Sequence, residues 1–202
     1  MILTTDDFAQ MDKLTRVQFA TTLPGPKPIC LVGTRSPEGQ TNLAPFSSVT
    51  HLGSNPILLG MVTRPDTVDR HTFKNIQATG EWTLNHLTAE MVKQGHQCSA
   101  RYPAETSEFD ATGLTEKHHD AIHAPFVAES PLRIALTLKQ IIDITANQTK
   151  LIVGKVTLVE LPGEELPPDG SIDLPRLGTL ASTALDTYFS LTEIAKLPYA
   201  KP

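Results

Sequence analysis

The sequence is poor in aromatic rings and has no clustered positive charge. Aromatic residues fill only 5% of its 202 positions, too few for the rows of stacked side chains on which single-stranded nucleic acids lie. Its 17 Lys and Arg are outnumbered by 22 Asp and Glu, for a formal net charge of -5, and no basic run offers phosphate contacts along a nucleic acid. No stretch approaches the roughly 20 apolar residues of a membrane-spanning helix. The opening Met1-Ile2-Leu3-Thr4-Thr5-Asp6-Asp7 places acids where a secretory leader needs bases. Cysteine is limited to Cys30 and Cys98, far apart and in no Cys-x-x-Cys. That pattern suggests neither a zinc ribbon nor a disulfide framework and fits reduced thiols in a cytoplasmic protein.

Catalytic signatures are missing too. The 12 glycines never fall as Gly-x-Gly, so the dinucleotide-binding fingerprint and the kinase glycine loop are absent, as is the Gly-x4-Gly-Lys phosphate loop. There is no Gly-x-Ser-x-Gly elbow and no His-Glu-x-x-His. A nucleotide bound here needs another architecture. What remains, 40% hydrophobic residues with 16 Pro, is the composition of one globular domain over 1–202 with a core of ordinary size and a small-molecule partner.

Residues 12–22 have helical spacing, closed by Pro24-Gly25-Pro26. Ile29 to Thr34 reads as a strand, and Ser36-Pro37-Glu38-Gly39 as a tight turn into extended chain from Thr41 to Leu52, so this segment is a β-hairpin. Gly53-Ser54-Asn55-Pro56 turns again, and Ile57 to Thr63 reads as a strand buried on both faces. Phe73 and Ile76 mark a helix from Asp69 to Thr79, with Asp69 as N-cap and Gly80 as stop. Glu81 to Leu87 is a strand, and Thr88 is the expected cap of a second helix reaching Ser99. Residues 101–113 read as a surface loop. Leu132 to Thr145 and Lys150 to Leu161 form a second hairpin about Asn147-Gln148, and Leu177 to Phe189 is either helix or strand. About six strands with two helices favour an antiparallel β-barrel over a parallel α/β sheet, which needs a helix after nearly every strand.

Isolated polar residues in this frame have ordinary readings. His118, His119 and His123 are close in sequence, but the stretch runs into Ala124-Pro125 and lacks a third ligand of fixed spacing, so we read it as solvated loop rather than metal site. Cys30 reads as a small buried hydrophobe, and His51 and His86 as half-buried strand residues.

One set of motifs stands apart: Thr41-Asn42-Leu43-Ala44-Pro45-Phe46-Ser47-Ser48, Ser54-Asn55-Pro56, Arg64-Pro65-Asp66, Arg70-His71-Thr72-Phe73-Lys74-Asn75-Ile76 and Gly80-Glu81-Trp82-Thr83-Leu84-Asn85. In order and spacing it resembles the flavin reductase-like family. Weaker echoes at Glu108-Phe109, Glu129-Ser130-Pro131 and Leu185-Asp186-Thr187-Tyr188 extend the resemblance over about residues 15 to 190. Two departures are local: Ile57 stands where the family has a second proline, and Arg70-His71-Thr72 replaces the usual Lys-Asp-Thr.

The resemblance implies a mainly β fold, the antiparallel Greek-key FMN-binding split β-barrel with a few peripheral helices, and a homodimer with flavin near the subunit interface. The apolar faces of Leu132 to Leu161 and the tail around Tyr188 are the candidate interface. It implies FMN contacts from Asn42, Ala44, Pro45, Phe46, Ser47, Ser48, Thr63, Arg64, Arg70, Thr72 and Asn85. Physical chemistry agrees on several of these. A helix start with Arg70 and Thr72 suits a phosphate, Ser47 or Ser48 would add a hydroxyl, and Ala44, Pro45 and Phe46 would wall the ring. Arg64 near the pyrimidine end would stabilise charge arriving on reduction. The expected activity is NAD(P)H-dependent flavin reduction, with NADH or NADPH as donor. The cofactor carries that chemistry, so no catalytic side chain and no metal is named. A monooxygenase or another acceptor would take the electrons. The alternatives are an FMN-binding electron carrier without nicotinamide activity and, from another class, a flavin-free interaction module.

Overall fold

The computed structural model describes residues 1–65, 70–164 and 166–201. Asp66 of the Arg-Pro-Asp motif and Asp69, the expected helix cap, lie outside the described residues. In chain order the elements are α1 (Thr5–Gln10), α2 (Lys13–Thr22), β1 (Lys27–Pro28), β2 (Cys30–Arg35), β3 (Thr41–Phe46), β4 (Thr50–Ser54), β5 (Ile57–Thr63), α3 (His71–Thr79) and β6 (Glu81–His86). There follow α4 (Val92–Gln97), α5 (Glu108–Thr112), β7 (Glu116–His119), β8 (Ile122–Val127), β9 (Arg133–Ile144), β10 (Thr149–Glu160), β11 (Leu180–Thr183) and β12 (Thr187–Ser190). The mainly β, antiparallel architecture expected from the sequence is present.

Seven strands form one sheet in the order β3-β2-β6-β9-β10-β5-β4, antiparallel throughout. Its two edge strands, β3 and β4, are consecutive in the chain, separated only by Ser47, Ser48 and Val49. Laid flat, seven strands would hold their edges about 29 Å apart, whereas this connection reaches at most about 14 Å. The sheet must therefore curl until its edges meet. Ser48 marks the seam: its Oγ donates to the Val62 carbonyl at 2.9 Å and accepts from the Val62 N–H at 3.1 Å, fastening the connection onto β5.

Alternation along the strands sorts the side chains. Cys30, Val32, Trp82, Leu84, Leu136, Met61 and Ile152 point into the barrel, where Phe73 and Ile76 of α3 join them. Ile29, Leu31 and Leu43 face outward and are covered by Met91, Cys98 and Phe109 around α4 and α5, with Val127 and Leu180. The β7–β8 hairpin lays Ile122, Ala124 and Phe126 over Ala135 of β9. The remaining strands form a small sheet, β1-β11-β12.

Several sequence expectations need correction. The extended chain from Thr41 to Leu52 is two strands at opposite sheet edges, because the barrel closes between them. Strand β5 is not buried on both faces: Ile57 and Val62 are exposed. Thr88 caps no helix. It bridges to Thr179, and α4 begins at Val92. Within the supposed 101–113 loop, Ser107 caps α5 by accepting from the Phe109 N–H, and Ser107, Glu108 and Phe109 are buried. The signal was present in Ser107-Glu108-Phe109-Asp110, a capping-box pattern with an acid three residues after the cap. His118, His119 and His123 lie on the β7–β8 hairpin rather than in a loop, and His51 is exposed. The 177–189 segment resolves as strand.

Candidate functional site

Helix α3 ends as expected. Gly80 takes φ 72°, and its N–H donates to the Ile76 carbonyl at 2.9 Å, a left-handed stop that favours glycine. The start of the helix is different. Arg70 occupies the N-cap position and makes no side-chain cap, and the positive end of the helix dipole lies at these leading N–H groups. The Arg70 Nε instead donates to the Pro65 carbonyl at 3.3 Å, which holds its guanidinium against the Arg64–Pro65 segment. Burial, with the charges of Arg64 and Arg101 nearby, pushes the Arg70 guanidinium below its usual range, although an arginine stays cationic throughout. The charges of Arg64 and Arg101 are thus both felt at the Arg70 guanidinium. An exposed Arg101, in the loop after α4, is the one that sequence reasoning missed, and no local pattern announces it.

Behind this start runs a buried polar relay. Asn42 Nδ2 donates to Thr72 Oγ1 at 3.0 Å and lies 3.4 Å from Thr34 Oγ1, which also accepts from Asn75 Nδ2 at 3.1 Å. All four residues are buried. The relay ties α3 to β2 and β3 and fixes where the helix points. Thr72 accepts the Asn42 bond, which leaves its own proton free to donate. That Asn75 shares the helix face of Thr72 was legible, since it lies three residues on.

Strand β3 is an edge, and its outer side is closed by side chains. Glu108 Oε2 accepts the Leu43 N–H at 2.8 Å. Thr41 Oγ1 donates to Glu116 Oε1 at 2.5 Å and meets Ser107 Oγ at 2.8 Å. Burial raises the Glu108 carboxyl, while the Leu43 N–H and the nearby His71 pull it back. Since Leu43 points its N–H away from β2, Pro45, two residues on, has its missing N–H on that same outer side, the position a proline tolerates. Beyond Glu108 the open edge therefore presents carbonyls, with the next outward N–H at Ser47.

The predicted contacts divide on this geometry. Asn42 and Thr72 touch each other, and Arg64 and Arg70 meet through Pro65. Thr63 is buried at the end of β5, next to exposed Arg64. Ala44 and Phe46 share the inward face of β3, with Phe46 packed on the barrel core, while Pro45 faces the other way, so the three do not make one wall. Ser48 spends its hydroxyl on Val62, leaving Ser47 as the member of the pair whose hydroxyl has no partner among the described residues. Asn85 stands apart. It is fully buried, with Nδ2 on the Leu31 carbonyl and Thr83 Oγ1, each at 3.0 Å, and Oδ1 on the Val127 N–H at 2.9 Å. It fastens β2, β6 and β8.

A family sequence model described as the flavin reductase like domain matches residues 25–175. The chain belongs to the flavin reductase-like family. A proposed flavin reductase with split barrel domain from Shewanella frigidimarina is 40% identical and superposes with TM-score 0.94 over 99% of this chain and all of that one. Nitrilotriacetate monooxygenase component B from Bacillus cereus superposes at 0.84 with 23% identity, over 98% of each chain. Flavoredoxin of Desulfovibrio vulgaris superposes at 0.76 with 22% identity, over 89% and 94%. At those identities the latter two establish the fold alone. An uncharacterised protein of Halalkalibacterium halodurans is 30% identical over 169 residues, 81% of this chain and 80% of its own length. The split barrel is thus the fold of this family member. Among the described residues, no helix is long and apolar enough to cross a membrane.

Proposed function

We propose that this family member is an FMN-dependent oxidoreductase, an NAD(P)H:flavin reductase working as a cytoplasmic homodimer. The observation that supports it most is the start of α3, where Arg70 makes no side-chain cap and the charges of Arg64 and Arg101 lie nearby, placed beside the carbonyl edge of β3. The residues fit FMN: a phosphate dianion takes the helix start, the Arg70 guanidinium and the Thr72 hydroxyl. The ring's polar edge takes backbone groups of β3 from Leu43 to Ser47, with Ser47 Oγ beside them. Glu108 holds that edge in place, and the relay through Asn42 sets the helix angle. Two-electron transfer between a reduced nicotinamide and an acceptor is the chemistry FMN supplies when bound. The chain's own part is orientation and charge, with Arg64 favouring negative charge near the ring.

The absorbance spectrum of the purified protein with and without added FMN tests the cofactor. Anaerobic mixing with NADH, then with NADPH, tests the reaction. Bleaching on a catalytic timescale with either nucleotide is expected. Bleaching by dithionite alone would leave an electron carrier, and a colourless protein that ignores FMN would leave an interaction module. The choice between NADH and NADPH, and a monooxygenase component as acceptor, follow from the same mixing with candidate partners added.

A further inference from the structure

The chain exposes more surface than its mass calls for. A compact monomer of 22.0 kDa is expected to expose about 9,300 Å², and this one exposes 12290 Å². The excess is about 3,000 Å² over that compact scale, comparable with the roughly 2,000–5,000 Å² in all that obligate homodimers bury. Part of it belongs to the extended tail carrying Ile194, Leu197 and Tyr199, all exposed. The rest in kind is two apolar surfaces with no cover.

The first is the N-terminal arm. No residue of α1 or α2 is buried, and Leu14, Val17 and Leu23 are 80%, 50% and 66% exposed. The arm is nevertheless built to be helical. Thr4 and Asp7 form a capping box, Asp12 accepts from the Leu14 and Thr15 N–H groups, and Phe8 meets Phe19 with ring centroids 5.8 Å apart. A ten-residue helix does not persist in water on caps alone, so its apolar side needs a surface. The second surface is the outer face of β4, β5, β10 and β9. There Val62, Leu151 and Ile142 line up across three strands, and Leu52, Val62, Ile142 and Ile144 are exposed. The arm is rooted at β1, in the small sheet with β11, and none of its helical residues is buried against this face.

We propose that the two surfaces are halves of one reciprocal interface, the α1–α2 arm of each copy lying across the apolar sheet face of a second copy. The inference rests on the homodimer of the proposed function and adds the exchanged arm to it. Val62 borders both the receiving face and Ser48, so the partner's arm would also bound the side of the flavin site.

Sedimentation of the wild-type protein, of Leu14→Glu/Val17→Glu and of Ile142→Glu, with hydrogen exchange on the α2 amides, tests this. None of the three side chains is buried, so circular dichroism should show the fold intact in each variant. We expect a dimer for the wild type, α2 amides protected in it, and a dissociation constant at least about a hundredfold weaker in both variants. A monomeric wild type overturns the homodimer and the arm together. A wild-type dimer matched in strength by the arm variant, or α2 amides that exchange freely in the dimer, overturns the arm and leaves the homodimer standing. Dissociation by the arm variant but not by Ile142→Glu overturns the sheet face as its receiving surface.

Discussion

His86 makes stability depend on acid in a calculable way. It sits on the inner face at the end of β6, 9% exposed, opposite Cys30 across the strand pair. Its Nδ1 and the Trp82 Nε1 are buried side-chain atoms without a hydrogen-bond partner among the described residues. Burial lowers the imidazole from 6.5 to about 4, because a charged ring there would lack both water and a counter-ion. Cys30 adds no charge, since burial pushes its thiol up to about 12. Between these values the unfolded chain binds a proton that the folded chain refuses. The contribution is therefore complete above pH 6.5 and is lost as pH falls towards 4. Fully integrated it amounts to about 3 kcal/mol, of which about 2 kcal/mol is lost between pH 7 and pH 5. Glu108, with its raised carboxyl, acts in the opposite sense, its contribution shrinking as pH rises past the usual carboxylate range. It is common to wild type and variant, so it cancels in their difference. Urea unfolding at pH 7 and pH 5 for wild type and His86→Leu is the measurement. The wild type should lose about 2 kcal/mol more than the variant over that interval, and at pH 7 the variant should be no less stable, because a buried nitrogen without a partner is gone. Equal losses, or an imidazole that titrates near 6.5 by NMR, would refute the reasoning.

Other substitutions probe the site and the barrel. Arg70→Ala should weaken FMN binding about tenfold to a hundredfold, the worth of one charge-assisted bond, with thermal stability nearly unchanged; fluorescence titration reads it, and unchanged affinity would move the phosphate elsewhere. Ser48→Ala should cost about 0.5–1.5 kcal/mol, the net worth of its exposed bonds to Val62, whereas Ser47→Ala should leave stability alone and weaken FMN; calorimetry with flavin titration separates the two. Gly154→Ala would bring a methyl within 2.4 Å of two Trp82 ring carbons and 3.0 Å of Leu136, an overpacking of about 1–3 kcal/mol or more, and the single tryptophan's emission should shift with it. Glu108→Ala should destabilise β3 by about 1–3 kcal/mol, while Glu108→Gln, which keeps an acceptor for the Leu43 N–H, should recover most of it.

Much of the fold was legible because it is local. The β2–β3 and β9–β10 hairpins, the Gly80 stop and strand β6 follow from turn chemistry and composition over a few positions. The closure between β3 and β4 was not, because extended chain through Phe46, Ser47 and Ser48 looks alike whether it continues one strand or crosses a seam; only pairing with β5 at one end and β2 at the other distinguishes them. Strand β5 misled for a related reason. Its apolar run suits burial on both faces, yet half of it looks outward onto the surface left for the arm. The polar relay was legible in part: Thr72 and Asn75 share a helix face by spacing, but Thr34 reaches them only through the sheet.

The candidate site shows why family motifs are stronger on architecture than on contact. Of the residues the motifs single out, Asn85 closes backbone bonds among three strands, Ser48 closes the seam, and Asn42 fixes the angle of α3 through Thr72. Asn85 and Asn42 sit in a buried setting, where leaving them unpaired costs more than the bonds they make are worth, and half-buried Ser48 is held by two bonds to Val62. Residues that meet an anion face the opposite demand. They must stay unpaired within the chain, and long cations do so at the surface without penalty. Among the described residues, exposed Arg64 and Arg101 meet that condition, and Arg70 gives its Nε to Pro65 with no further bond from its guanidinium fork. An acidic chain with net charge -5 can thus bring arginines to act on one another at one corner. The corner depends on which arginines the fold brings to the start of α3 rather than on how many the sequence contains.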